Sequence, residues 1–322
     1  MQSHVSPYTL SRTSALGMLA LTAFMAVSCA KPEMRSTLNR RPTADEMAQL
    51  WVKPGNIASR DLFAGPGDPG LVAAKGTKFK VKMADTTGAS GGWDVEDPKG
   101  REYSVKIGTE AQTEIVASRL HWAVGYHQPA MFLLTEYELD KGETPRTGRF
   151  RPKTDEAKVE ADWSWHENPF VGTRELKGLL VLELILNNWD LKTPQNKLYK
   201  VTRKGEPSKQ YVVRDVGAAL GKTKWPVGTK NNPAHYESQN LIKRVRSDGT
   251  VEFDYHARHK ELFENITVDD VVWICELLNQ LTPKQYADAF RAAAYPDDLA
   301  ARYIAKMRLK VQEGLALRSA RR

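Results

Sequence analysis

The chain has 322 residues, enough for one large domain or two small ones. Its composition, with 41% hydrophobic and 27% charged residues, indicates a globular protein. Two cysteines exclude a disulfide-rich scaffold and a zinc site built from cysteines. Lys and Arg number 47 against 39 Asp and Glu, and this formal net charge of +8 permits contact with phosphates, anionic lipid or nucleic acid without selecting one.

The first 28 residues have the pattern of an export signal. A positive flank precedes the weakly apolar run Ala15–Val27, which has signal-peptide length. The alternative, a buried N-terminal helix, is disfavoured because this run has no polar face. Small residues at Ala26 and Ser28 suit signal peptidase, and Cys29 after them resembles a bacterial lipobox, in which the cysteine is lipidated. We therefore predict a signal peptide, lipidation of Cys29, and a membrane-anchored envelope protein on the periplasmic or surface side.

The next two segments are predicted to be a tether and a strand-rich lobe. Residues 29–60 are polar with few apolar anchors, which predicts a tether that is partly ordered near Trp51. Residues 61–170 are predicted to form an N-lobe that holds one helix. Alternating residues and turn signals predict its strands, and good helix formers that end at Gly125 predict its helix. The strands are 79–84, 93–95, 103–107 and 130–139, and the helix is 109–124.

Residues 171–322 are predicted to form a mainly helical C-lobe. The helix at 173–187 is apolar nearly all round, which places it in the centre of a core. A pair of strands follows, and the last third of the chain is helical. These strands are 197–201 and 210–214, and the helices are 261–263, 268–278, 283–293 and 296–314. The fold class predicted is therefore α+β with two lobes.

Five features of the sequence fall in an order that suits phosphoryl transfer. They are a glycine-rich turn (Gly88, Gly91, Gly92), a strand lysine (Lys106), a helix glutamate (Glu110 or Glu114), the segment Asp190 to Asn196, and Asp215-Val216-Gly217. Backbone amides of a glycine loop can approach phosphate oxygens, the lysine neutralises phosphate charge, and the glutamate fixes the lysine. One aspartate acts on the attacking group, while an amide and a second aspartate hold magnesium.

Three stretches of the chain resemble the protein-kinase-like superfamily. They are YSVKIGTEAQTEIVASRLHWAVGY, LLVLELILNNWDLKTPQNKLY and YVVRDVGAALG, and they lie within about 79–221. The closer likeness is to the atypical members: the HipA toxin kinases, the secreted casein-kinase-like enzymes and the phosphoinositide kinases. The chain also looks like a group of uncharacterised bacterial lipoproteins. The resemblance implies a two-lobed kinase-like fold with ATP and Mg²⁺ or Mn²⁺ as cofactors.

The resemblance also implies a role for each matching residue. The roles are the nucleotide lysine, its helix partner, the catalytic aspartate, the metal-binding amide, the metal-binding aspartate and the glycine after it. In that order the residues are Lys106, Glu114, Asp190, Asn196 or Gln195, Asp215 and Gly217. Asn196 is the preferred amide, and Gly88, Gly91 and Gly92 are the expected nucleotide loop.

Three departures from the kinase pattern leave a catalytic and a non-catalytic hypothesis open. The loop TTGASGG is not G-x-G-x-x-G, no His-Arg precedes Asp190, and the position five residues after Asp190 is Gln195. The first hypothesis is an exported, lipid-anchored kinase-like enzyme that acts on an unknown protein, lipid or sugar. The second is an inactive pseudokinase that binds a ligand or partner in the envelope, where ATP is scarce.

Two further sequence features are weaker. Six histidines show no metal-binding motif, although His256-Ala257-Arg258-His259 could hold a metal or phosphate, with polar surface the simpler interpretation. From Ala300 to Arg322 seven basic residues accompany one acid, which favours a solvated helix face over binding to lipid or nucleic acid. A scaffold that uses this basic tail is the third and weakest hypothesis.

Overall fold

A computed structural model describes residues 32–85, 91–142, 147–203 and 205–319. The predicted signal peptide at 1–28, the predicted lipidation site Cys29 and the predicted loop residue Gly88 lie outside these ranges. Within the described residues, no helix has both the length and the apolar character needed to cross a membrane.

Strands dominate the first two thirds of the described chain, and helices dominate the last third. The strands are β1 (Arg35–Ser36), β2 (Lys78–Asp85), β3 (Gly92–Glu96), β4 (Glu102–Ile107), β5 (Phe132–Leu134), β6 (Glu138–Leu139), β7 (Gly148–Pro152), β8 (Ala157–Asp162), β9 (Glu167–Asn168), β10 (Asn196–Arg203), β11 (Glu206–Val213), β12 (Ile242–Val245) and β13 (Val251–Phe253). The helices are α1 (Ala44–Met47), α2 (Glu110–Ala123), α3 (Arg174–Ile185), α4 (Pro233–Glu237), α5 (Val268–Asn279), α6 (Pro283–Ala292) and α7 (Asp297–Ala316). The fold class is α+β, as the sequence predicts.

A six-stranded sheet with the order β5-β7-β4-β3-β2-β6 forms the strand-rich lobe. Its neighbours run antiparallel except for the β2–β6 pair, which is parallel. One face of the sheet buries an aromatic cluster, in which Phe150 lies 4.9 Å from Phe79 and stacks on Phe132 at 5.6 Å between ring centroids. Because side chains alternate across a strand, Lys106 in β4 and Arg149 and Arg151 in β7 fall on the opposite face.

Helix α2 is buried nearly all round although it carries charged and polar side chains. Buried polar groups need partners inside the protein, and α2 has such partners both in the segment that follows it and in α3. Arg119 donates to the carbonyl of Met131 at 2.8 Å, and His121 contacts the Glu183 carboxylate of α3 at 2.8 Å. The sequence predicts the extent of this helix to within one residue at each end, 109–124 against Glu110–Ala123.

The segment predicted as a tether packs onto the body from Pro32 onward. Residues Pro32–Arg322 form one compact unit, and Leu50 and Ile57 are buried in its main core. The indole of Trp51 donates to the carbonyl of Val124 at 2.7 Å. This segment therefore covers the end of α2, which the polar composition of 29–60 does not indicate.

Strand pairing crosses residue 170, where the sequence predicts the boundary between the lobes. Strand β8 lies before this boundary, yet it pairs with β10 in a three-stranded sheet of order β11-β10-β8. The stretch 140–170, which holds none of the predicted strands, contains β7, β8 and β9. The predicted strand 130–139 is two short strands, β5 and β6, on opposite edges of the six-stranded sheet.

The helical part is organised around α3, as the apolar sequence of that helix predicts. Two of its helices begin at capping boxes, one between Thr267 and Asp270 and one between Thr282 and Gln285. Such reciprocal bonds satisfy backbone amides that an N-terminus leaves unpaired. The helices predicted at 268–278 and 283–293 begin directly after Thr267 and Thr282.

Gly178 in α3 provides a test of this packing. A Cβ at this position would lie 2.3 Å from the Trp273 ring, so Gly178→Ala should displace that side chain. We expect a loss of about 1–3 kcal/mol in unfolding free energy from overpacking, despite a helix-propensity gain of about 1 kcal/mol. Urea unfolding measures this difference. The control is Gly55→Ala, where a Cβ meets open space, and an equal effect of both changes would contradict the packing.

Candidate functional site

Lys106 in β4 is the centre of an ion-pair cluster, which we call the Lys106 cluster: Lys106, Glu110, Glu114 and Asp215. The Lys106 ammonium lies 3.0 Å from an oxygen of Glu110, 3.3 Å from an oxygen of Glu114 and 2.7 Å from an oxygen of Asp215. Two of these carboxylates belong to α2 and the third follows β11. The structure thus brings together three of the predicted site residues, and it includes both glutamates that the sequence analysis considered.

Glu114 is completely buried and serves more than one cation. Besides Lys106, it lies 3.1 Å from the Arg149 guanidinium and 3.7 Å from that of Arg151, both in β7. Its two oxygens are close enough for ion pairing but have no well-aligned hydrogen bond in the described structure. The pairing of Glu114 is therefore mainly coulombic, which is strong in a buried site.

The pKa values follow from burial and from these charges. Burial alone would raise the pKa of Glu114, but Arg149, Lys106 and Arg151 lower it to about 2. Burial would likewise lower the pKa of Lys106, and the carboxylates of Glu114, Asp215 and Glu110 raise it above its ordinary value. Each partner therefore holds the other in its charged form.

Glycine at position 217 allows Asp215 to reach the cluster. A Cβ at Gly217 would lie 2.8 Å from the Cβ of Glu110, so only glycine permits this approach to α2. The hydroxyl of Thr113 on α2 donates to the Gly217 carbonyl at 2.6 Å. The segment after β11 is thereby attached to α2, with Asp215 beside Lys106.

Gln195 connects the two aspartates of the site. Its side-chain amide donates to Asp190 Oδ2 at 2.8 Å, and its carbonyl accepts from the backbone amide of Asp215 at 3.2 Å. The other oxygen of Asp190 lies 2.7 Å from the Lys192 ammonium. Asp190 is thus oriented by two neighbours and coupled through Gln195 to the Lys106 cluster.

The preferred amide, Asn196, is not part of this arrangement. Asn196 is fully buried at the start of β10, and its side chain donates to the carbonyl of Trp163 at 3.2 Å. The metal-binding role of Asn196 stays a prediction, and Gln195 is the amide that contacts Asp190. Gln195 ends the short helical turn Thr193–Gln195 and Asn196 begins β10, so these two adjacent side chains meet different partners.

A buried relay supports Asp190 from behind. Asn188 Oδ1 accepts from the backbone amide of Asp190 at 3.2 Å, and its amide group donates to Glu183 at 2.7 Å. Glu183 in turn contacts His121 of α2. The segment that carries Asp190 is therefore bound to both α2 and α3 by fully buried side chains.

The described part of the glycine-rich turn lies next to Lys106 in the sheet. Gly92 is paired with Lys106 in the β3–β4 ladder, and a Cβ at Gly92 would lie 2.1 Å from the Val105 carbonyl oxygen. The Gly91 carbonyl accepts from the backbone amide of Ile107 at 3.0 Å. Strand β3 therefore begins beside the lysine, and the predicted nucleotide loop directly precedes this point in sequence.

A cavity of about 1910 Å³ adjoins the Lys106 cluster. Its lining includes Ser104, two residues before Lys106 in β4, as well as Arg151 and Arg214. Lys106, Asp190 and Asp215 do not line it, so the cavity lies beside the ion pairs and does not contain them. Burial and the charges of Arg149 and Arg214 together lower the pKa of Arg151 to about 9. Two closely placed guanidinium groups at this wall favour an anionic occupant.

Sequence reasoning missed the basic partners of the site. Arg149 and Arg151 alternate with Phe150, and this alternation in Arg-Phe-Arg-Pro was the available signal for a strand. Lys230 was also missed, and it contacts the second oxygen of Glu110. No local pattern marks Lys230, because it meets α2 only through the folding of the chain.

The donor set around Asp190 and Asp215 fits a nucleotide-bound divalent cation. Mg²⁺ prefers oxygen ligands, and Asp215 supplies a carboxylate while Gln195 supplies a side-chain amide oxygen. A backbone hydrogen bond joins these two residues. About a third of the Asp215 side-chain surface is exposed, at 32%, so a ligand can reach it. Lys106 next to Asp215 suits the negative charge of phosphates.

Comparisons with known proteins find similarity in structure alone. No protein-family model and no curated protein sequence matches this chain. Among solved structures, a Helicobacter pylori proinflammatory kinase, CtkA, is 8% identical with a TM-score of 0.48, covering 75% of this chain and 96% of the kinase. The Golgi casein kinase is 9% identical with a TM-score of 0.35, covering 76% of this chain and 73% of that one. In the chain's own element order, a strand lysine pairs with a helix glutamate, and a later, mainly helical part supplies Asp190 and Asp215.

Proposed function

We propose that this chain binds a nucleotide together with a divalent cation and transfers a phosphoryl group from it. The observation that carries the proposal is the Lys106 cluster, in which a strand lysine contacts Glu114 of α2 and Asp215 after β11. Asp215 remains partly exposed beside the buried Lys106–Glu114 pair, which a purely structural ion pair would not require. Gln195, at the expected distance in sequence from Asp190, supports this proposal because it contacts both aspartate segments.

Each residue has a role in this proposal. Lys106 binds phosphate oxygens, and Glu114 positions Lys106. Asp215 and Gln195 hold the cation, which neutralises charge on the phosphates when it is bound. Asp190 accepts the proton of the acceptor hydroxyl as the new oxygen–phosphorus bond forms and the bond to the leaving phosphate breaks. Lys192, bound to Asp190 and largely exposed, is placed to contact the group in transfer.

The proposal is tested by the thermal shift of the full chain with ATP, GTP or ADP, each with and without Mg²⁺ or Mn²⁺. A ligand at a hundred times its Kd stabilises the folded state by about 2.7 kcal/mol, or roughly 5 °C at this size. We expect a cation-dependent shift with a nucleoside triphosphate, absent in Lys106→Met and Asp215→Asn. Lys200→Met, which removes an exposed lysine of β10, is the control and should keep the full shift.

A further variant separates binding from catalysis. Asp190→Asn should retain the nucleotide-dependent shift but lose transfer of labelled phosphate, since Asp190 acts on the acceptor. A shift without phosphate transfer in the wild type would favour the alternative function, a nucleotide-binding module. Well-folded protein that shows no shift with any nucleotide would contradict both. Export and lipidation of Cys29, and the protein, lipid or sugar acceptor, stay predictions from the sequence.

A further inference from the structure

Three partly exposed side chains of metal-ligating types, from two distant segments of the chain, meet between the start of β9 and the start of α5. We call them the His166 cluster: His166, His259 and Glu261. Among the described residues, they are the one group of three His, Cys, Asp or Glu side chains whose ligand atoms all lie within 4.8 Å of one another. His166 is 95 residues from Glu261 in sequence, so the fold and not local spacing creates the group.

The geometry of the cluster converges on a single oxygen. His166 Nε2 lies 2.9 Å from Glu261 Oε1, and His259 Nδ1 lies 3.2 Å from the same atom. The imidazole rings are inclined at 64°, with centroids 5.5 Å apart, so they approach from different directions and are not stacked. Ligands at about 2.0–2.1 Å from a tetrahedral ion are about 3.3 Å from each other, close to these distances.

The backbone holds both histidines in place. The carbonyl of His166 accepts from the backbone amide of Arg35 at 2.7 Å, next to the β1–β9 pair. His259 has a φ of 63°, a left-handed backbone conformation that is uncommon for residues other than glycine. Its carbonyl accepts from the amide of Leu262 in the short helical turn that carries Glu261. A conformation of this kind persists only where the surrounding structure imposes it.

From this arrangement we propose that His166, His259 and Glu261 bind a divalent transition-metal ion, with Zn²⁺ the best match. Two imidazoles and one carboxylate are a donor set that Zn²⁺ takes, whereas Mg²⁺ and Ca²⁺ prefer oxygen ligands alone. The three side chains are each partly exposed, so water can occupy a fourth position. The metal replaces the two hydrogen bonds to Glu261 and links the segment before β9 to the segment before α5.

One buried tyrosine, Tyr255, is affected by charges of both the cluster and the candidate functional site. Burial raises the pKa of Tyr255, and the charges of Asp190 and Glu261 raise it further, so both carboxylates are within electrostatic range of this tyrosine. The Tyr255 hydroxyl is buried and has no hydrogen-bond partner in the described structure. A cation beside Glu261 would offset one of the three carboxylate charges that raise this pKa, those of Asp190, Glu261 and Glu183.

The experiment measures Zn²⁺ binding to the full chain by calorimetry and by thermal shift, with Mg²⁺ for comparison. We expect one equivalent of Zn²⁺ to bind and to raise the unfolding temperature, and Mg²⁺ at equal concentration to do neither here. His166→Gln and His259→Asn should each weaken Zn²⁺ binding by at least about 100-fold, since even losing an outer partner of a ligand costs about 10–100-fold. Asparagine is chosen because it tolerates the left-handed backbone of His259.

The matched control is His256→Gln. His256 is three residues from His259 and contacts Asp254 at 2.6 Å, outside the cluster, so its replacement should leave Zn²⁺ affinity unchanged. Visible absorption of the Co²⁺-substituted protein gives a second measurement, which should show a four- or five-coordinate spectrum in the wild type and the control. Equal Zn²⁺ affinity in all variants, or no Zn²⁺ binding to folded wild type, would overturn the proposal.

Discussion

Replacing Glu114 by glutamine is expected to lower the free energy of unfolding by about 3–5 kcal/mol. The substitution keeps the shape of the side chain but leaves Arg149 and Arg151 without their buried counter-charge and removes one of the three carboxylates around Lys106. Removing one member of a buried ion pair is costly for this reason, because the remaining charge stays out of water. Urea unfolding at pH 7 measures the loss.

The pH dependence of this effect has a definite sign. The folded pKa of Glu114 is about 2 and its ordinary value is 4.5, so the ionised form is favoured by folding. The stabilisation is present above about pH 4.5 and is lost as the pH falls towards 2. The difference between wild type and Glu114→Gln should therefore shrink across that window. Glu136→Gln, which breaks an exposed pair with Lys75, is the control and should cost less than about 1 kcal/mol. A similarly small cost for Glu114→Gln would contradict the buried cluster.

The second large effect is a pH dependence of the unfolding free energy caused by Lys310, a lysine of α7 that is entirely buried. Its ammonium hydrogen-bonds Asn187 Oδ1 and lies 4.7 Å from the Tyr236 ring centre. Burial lowers the pKa of Lys310 to about 7, against 10.5 for an ordinary lysine. Between these values the unfolded chain binds a proton that the folded chain does not, so wild-type stability rises with pH in that window.

Lys310→Met removes this dependence. Relative to the variant, the wild type should gain about 3 kcal/mol of unfolding free energy between pH 7 and pH 9.5. Unfolding in urea across this range gives the measurement. Lys306→Met is the matched control, since it removes another lysine from the same helix, one that donates to Asn240 Oδ1 at 3.0 Å. A pH trend that is the same in both variants would contradict the buried-lysine explanation.

The sequence predicts the regular elements well where one periodicity dominates. Helix α2 and the apolar helix α3 match within two residues at each end, because good helix formers and capping residues agree there. Lys106, Glu114 and Asp215 also come together as the kinase resemblance implies. Local patterns are sufficient for the two helices, since each depends on one element and its ends, whereas the meeting of the three site residues was predicted from the resemblance.

Features that depend on distant partners could not be predicted. The Arg-Phe-Arg-Pro strand β7 looks like a charged loop until Glu114 is known to neutralise it. The choice between Gln195 and Asn196 depends on which of two adjacent side chains faces Asp190, and only the start of β10 decides this. The His166 cluster likewise needs segments almost a hundred residues apart to meet.

The residues that cover the end of α2 have a consequence for control of the protein. Val52 donates to the Gly125 carbonyl at 3.0 Å, and a Cβ at Gly125 would lie 2.4 Å from the Val52 oxygen. Arg60 lies over the Trp122 ring at 4.7 Å, and Trp51 bonds Val124. A helix held this way cannot swing outward without breaking the N-terminal segment from the body. Separation of the Lys106–Glu114 pair by an outward movement of α2 would therefore have to break these contacts first.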